Sequence, residues 1–70
     1  MRENLKNARK AANMTQQAMA DKLGIDGRYY KSIESGERLG AIWIWDMLED
    51  LLKVNQRVLR ETRPDIVDSQ

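Results

Sequence analysis

The chain of 70 residues contains no cysteine and no histidine. Without thiols there are neither disulfides nor thiolate zinc sites, and without imidazole the commonest metal ligand and general base is missing. The carboxylates are scattered along helix surfaces beside basic residues, with no cysteine or histidine to assist them, so an enzyme is not expected. No cofactor, metal or small-molecule ligand is expected either. No apolar run approaches the length of a membrane span, and the start MRENLKNARK lacks the apolar segment of a signal peptide. The expectation is a cytoplasmic protein with no membrane partner. The one proline, Pro64, is placed to stop a helical segment that ends near Thr62.

A chain this short allows one domain and one small core, whose stability needs efficient packing or a partner. The domain is expected over residues 1–63, with a short C-terminal tail over 64–70. The formal net charge is only +1, but its distribution is uneven. Residues 1–38 hold eight Lys/Arg against five Asp/Glu, giving +3, and residues 39–70 hold four against six, giving −2. Ordinary surface scatter also yields an asymmetry of this size, so charge alone does not identify a partner.

The informative stretch is TQQAMADKLGIDGRYYKSIESGER, residues 15–38. Thr15 can cap a helix, and Met19, Ala20 and Leu23 share one face of the run that follows. Gly24 suits a left-handed stop, Ile25 is an apolar anchor, and Asp26 can accept the first free amides of a second helix. That helix is expected over about Gly27 to Ser35, with Tyr30 and Ile33 inward and Gly36 as its stop. The outcome is helix, tight turn, helix.

Helices are also expected on either side. Residues 2–12 place Leu5, Ala8 and Ala12 on one face, with Asn13 as a left-handed stop. After a bend at Leu39-Gly40, AIWIWDMLEDLLKV reads as a fourth helix with a core stripe of Ile42, Trp45, Leu48, Leu51 and Leu52. Trp43, Ile44 and Met47 fall off that stripe. Asn55 can cap a fifth short helix whose apolar contacts are Val58 and Leu59, and in the tail only Ile66 and Val67 have surface to bury.

The central stretch resembles the Cro and lambda-repressor type of helix-turn-helix family, the XRE-like small regulators of phages and bacteria. Their pattern runs roughly T-Q-x-x-L-A-x-x-L-G-[VI]-[ST]-x-x-x-[IV]-x-x-[IW]-E-x-G-x-R. Thr15, Gln16, Ala20, Leu23, Gly24, Ile25, Ile33, Glu34, Gly36 and Arg38 match it without a gap, with Met19 in the leucine position and Tyr30 in the β-branched one. The likeness extends more loosely over residues 5–54. It implies an all-α, compact five-helix fold and a sequence-specific regulator of transcription, a phage-type repressor or small operon controller, in a bacterial or phage-infected cell.

The resemblance also implies roles. Gly27, Arg28, Tyr29 and Ser32 would face bases in the major groove, with Arg28 suited to guanine O6 and N7. Gln16, Lys31, Ser35 and Arg38 would touch phosphates. Arg9 and Glu34 would form a structural ion pair, the alternative being a solvated arginine on a helix flank. Two positions depart from the pattern. Asp26 stands where relatives carry Ser or Thr, and Gly27 brings no side chain to a base-reading position, which invites closer approach of the backbone to the groove. A palindromic operator read by a homodimer is implied, with Trp43, Ile44, Met47 and Val58 as interface and Ile66 and Val67 as an extension. Alternatively, Trp43, Ile44 and Met47 serve a protein-interaction module or an antitoxin-like partner-binding protein, or the tryptophans simply enlarge the core.

Overall fold

A computed structural model describes residues 1–62. Five helices follow one another: α1 (Glu3–Ala11), α2 (Gln16–Leu23), α3 (Gly27–Ser35), α4 (Ile42–Leu52) and α5 (Gln56–Arg60). The boundaries are set by local chemistry. The Thr15 hydroxyl accepts from the Ala18 amide, Asp26 from the Arg28 amide and Asn55 from the Arg57 amide, each satisfying a donor that the first turn leaves without a helical partner. Gly24 and Gly36 end α2 and α3 with φ of 75° and 92°. Lys53 ends α4 in the same left-handed region, with φ of 60° and no glycine. Asn13, at φ 59°, follows α1. The expected tail from Pro64, with Ile66 and Val67, lies outside the described residues.

Every helix sends at least one side chain into a common core: Leu5 from α1, Met19, Ala20 and Leu23 from α2, Tyr30 and Ile33 from α3, Ile44, Trp45 and Leu48 from α4, and Leu59 from α5. The bend at Gly40 packs directly on this core. A Cβ there would lie 2.9 Å from Cδ1 of Ile33, and with φ at 83° the bend needs a residue without a side chain. Among the described residues no helix is long and apolar enough to cross a membrane.

The stripe on α4 differs from the sequence expectation. Ile44, assigned to an interface, is fully buried, while Ile42, assigned to the core, is 76% exposed and Leu51 is 37% exposed. The buried row is Ile44, Trp45 and Leu48, with Ala41 and Leu52 packed against it. Nearly every residue at the start of this helix is apolar, so periodicity alone does not fix its rotation. The tertiary contacts of Ile44 with the Gly40 bend and of Trp45 with Leu39 do. Trp45 is in the core with its Nε1 donating to the Leu39 carbonyl at 2.8 Å, whereas Trp43 is 47% exposed. Ala12, just past the end of α1, is likewise exposed instead of inward.

Two arginines hold α3 in place. Arg9 of α1 donates from Nε and Nη2 to the two carboxylate oxygens of Glu34 at 2.8 and 3.1 Å, and from Nη1 to the Met14 carbonyl at 2.7 Å. The Tyr30 hydroxyl and the Gln16 Nε2 donate to the same carboxylate at 2.8 and 2.9 Å. Burial pushes the Glu34 carboxyl upward, but the hydrogen bonds from Arg9, Tyr30 and Gln16 and the Arg9 charge outweigh it and leave it below its ordinary range. Burial and the bond to Glu34 push the Tyr30 phenol well above its own. The second arginine is Arg2, which sequence reading left unassigned. Its backbone amide donates to the Glu34 carbonyl at 2.8 Å, and its guanidinium donates to the carbonyls of Ile33, Arg38 and Arg60 while lying 5.2 Å from the Trp45 ring centroid.

Removing either Arg9 or Glu34 leaves the other charge buried and unpaired, so Arg9→Ala and Glu34→Ala should each cost about 3–5 kcal/mol of stability, and the double variant less than their sum. Thermal melts of the four proteins measure this, and strict additivity would contradict it. A depressed Glu34 pKa contributes stability that is present above the unfolded value, about 4.3, and is lost as pH falls through the folded value, because the unfolded chain takes up the proton first. Glu34→Gln should therefore flatten the acid limb of the stability profile.

Candidate nucleic-acid interface

α2, the turn at Gly24 to Asp26, and α3 form one rigid corner. The Ile25 amide donates to the Ala20 carbonyl and the Gly24 amide to Asp21, closing α2 with a Schellman turn that swings the chain into α3. α3 buries Tyr30, Ile33 and Glu34. Its opposite side is left in solvent.

That outer side carries Arg28, Lys31 and Ser35, all exposed, with Ser32 and Tyr29 half-buried. A shallow concavity is lined by Arg28, Tyr29, Ser32, Glu37 and Arg38, and a second by Arg28, Lys31, Ser32, Ser35 and Glu37. Tyr29, which lines the first concavity, also packs against the core. The hydroxyls of Ser32 and Ser35 donate back to the carbonyls of Tyr29 at 2.7 Å and Ser32 at 3.0 Å. Both protons are thereby engaged, and the Ser35 oxygen also accepts from the Glu37 amide at 3.3 Å.

The other sequence-assigned residues are placed differently. Gln16 opens α2, but its Nε2 is turned inward to Glu34, which leaves one amide hydrogen and the positive end of the helix for an anion. Gly27 opens α3, and the space above it is filled by the Gln17 side chain, whose Oε1 would lie 2.6 Å from a Cβ at that position. Close approach of the bare backbone to a groove, expected from the glycine, is blocked unless Gln17 moves.

Glu37 has no role in the sequence expectation. Read as part of a polar connection, it instead lines both concavities beside Arg28. No periodicity signals this, because Glu37 follows the end of α3 and reaches the surface through the turn at Gly36. Among the described residues no group of His, Cys, Asp or Glu is arranged to hold a metal. The surface is therefore equipped for recognition of an anionic, hydrogen-bonding partner by arginine, lysine and amide groups, with carboxylates, Glu37 among them, opposing them.

Comparison with known proteins agrees with the corner geometry. A family model described as a helix-turn-helix domain matches residues 3–56. The chain is 44% identical over 54 residues to the cryptic phage CTXphi transcriptional repressor RstR of Vibrio cholerae, a match that covers 77% of this chain and 43% of that protein. The chain thus corresponds to less than half the length of that relative. No solved structure matches it.

The Glu37 carboxylate opposes an anionic partner while its cationic neighbours attract one. Glu37→Gln should strengthen binding to a simple polyanion such as heparin by up to about 1 kcal/mol at low salt, and the gain should shrink as salt rises. Retention on a heparin column and titration across a salt series check this.

Proposed function

The chain belongs to the helix-turn-helix domain family, and from that premise we propose that it is a sequence-specific double-stranded DNA-binding protein acting as a transcriptional repressor in the cytoplasm, not an enzyme. The observation that carries this reading is the outward face of α3, held rigid from behind and bearing Arg28, Lys31 and, beside it, Arg38. The similarity to a phage transcriptional repressor supports the regulatory role. α3 enters the major groove, where Arg28 and Tyr29 of its first turn and Ser32 one turn on meet base edges. Gln16, Lys31 and Arg38 meet phosphates and fix the register, and Ser35 joins them by turning its hydroxyl proton from the Ser32 carbonyl to a phosphate.

Fluorescence polarisation with duplexes selected from a random pool tests the reading. Affinity should fall steeply with salt, the logarithmic slope growing by about 0.9 for each phosphate neutralised. Absence of binding to every duplex at low salt would overturn it. Arg28→Ala should cost about 1–3 kcal/mol of discrimination at one base pair, whereas Lys31→Ala should weaken all sequences alike. An even loss in Arg28→Ala would reassign that residue to a phosphate.

The repressor acts as a homodimer on a palindromic operator in this proposal, because one recognition helix reads only a few base pairs and two of them about 34 Å apart reach useful specificity. Support comes from apolar surface that the monomer leaves open. Trp43 and Leu51 are two turns apart on α4 with the half-buried Met47 between them, and Ile42, Leu39 and Val58 are exposed as well. Aromatic residues and methionine are favoured at interface cores. Ile44 has no part in this surface, being buried in the chain's own core. Trp43→Glu should give a folded monomer with weakened operator binding in sedimentation and polarisation; a folded dimer with unchanged affinity would place the interface elsewhere.

A further inference from the structure

Two adjacent glutamines at the start of α2 face opposite ways. Gln16 turns inward to Glu34. Gln17 is exposed and turns toward the start of α3. Its Nε2 donates to Oδ1 of Asp21 at 3.0 Å, one turn along the same helix. Only the amide nitrogen can donate to a carboxylate, so this bond fixes which end of the carboxamide is which. The nitrogen points forward along α2 to Asp21, and the oxygen lies over Gly27.

The space over Gly27 is therefore occupied by a side chain from another helix. A Cβ at position 27 would stand 2.6 Å from Gln17 Oε1 and 3.4 Å from its Cδ, closer than any real contact of the first kind. Alanine there would displace Gln17. The chain has thus exchanged a side chain at the first position of α3 for one delivered from α2, and a glycine is what makes room for it.

Resting on the DNA-binding reading above, we propose that Gln17 is a specificity-determining residue that takes over base reading at the position Gly27 vacates. A carboxamide matches the adenine edge in the major groove, its oxygen accepting from N6 and its nitrogen donating to N7. Gln17 keeps both groups for this purpose, Oε1 and the second Nε2 hydrogen, since Asp21 uses one hydrogen alone. The surroundings favour a base over a phosphate. Asp21 holds the carboxamide and Asp26 caps α3, so two carboxylates near this point oppose a phosphate, while a neutral base edge suffers no such repulsion. Asp21 also reduces the rotamer freedom that Gln17 would lose on contact.

The test uses the full chain and the duplex selected from a random pool, with each base pair of that duplex varied in turn and affinities read by fluorescence polarisation. Gln17→Ala should lower discrimination at one A·T pair roughly 5- to 100-fold and leave the salt slope unchanged. Gly27→Ala should flatten preference at the same pair by pushing Gln17 aside, and the double variant should be no worse than the more affected single one. Gln17 lies outside the core, and melting curves verify that each variant is folded. A uniform loss over all duplexes in Gln17→Ala would make the residue a phosphate contact, and unchanged preferences would remove it from the interface. Either result overturns the proposal while wild-type binding stands; a wild type that binds no duplex overturns the DNA-binding reading itself.

Discussion

The carboxylate of Glu34 is the point on which the corner depends. It sits on the inward face of α3 and accepts from Arg9 of α1, from Gln16 of α2 and from Tyr30 one turn back on its own helix. One buried anion therefore fixes three helices against each other. In a protein interior of low dielectric such bonds are strong when all are made and costly when one is missing. No buried side-chain nitrogen or oxygen among the described residues is left without a partner, so this network is complete. Its consequence is geometric: the outer residues of α3 are presented in one orientation.

Arg2 completes the fixation from the other end. The last carbonyls of α3 lie beyond the reach of its own i+4 amides; the Gly36 amide serves Ile33, and the backbone and guanidinium of Arg2 add donors to Glu34 and Ile33. The same side chain reaches the carbonyls of Arg38 and Arg60, so the segment after α3 and the end of α5 are drawn to one point over Trp45. Arg2 is thus a structural cation although it stands at the edge of a basic half-chain. Counting it toward a DNA-facing charge would mislead, as would counting Arg9. The outward cations are fewer than the total, and Glu37 stands among them.

Legibility in the sequence varied with the kind of force involved. Caps and stops were legible because they are local: Thr15, Gly24, Asp26, Gly36 and Asn55 each act within a few residues, and the helices lie where those residues put them. The inward face of α3 was legible too, because Tyr30 and Ile33 stand out among polar neighbours. α4 was not, since Ile42, Trp43, Ile44 and Trp45 present no contrast from which its rotation can be read. Glu37, Gln17 and Arg2 escaped for a different reason. Each acts on residues distant in sequence or beyond a turn, and no spacing rule links Gln17 to Gly27 or Arg2 to Ile33.

By itself the sequence determined the helix count, the corner between α2 and α3, and the family to which that corner belongs, because hydrogen-bond capping, left-handed stops and apolar period are properties of short segments. Only the tertiary structure decided that Ile44 and not Ile42 is inside, that Arg2 is structural, and which side chain covers the start of α3. Those outcomes depend on how the helices fill one shared core. Ile44 entered it because the Gly40 bend and Leu39 set the rotation of α4, and that rotation left Trp43 outside.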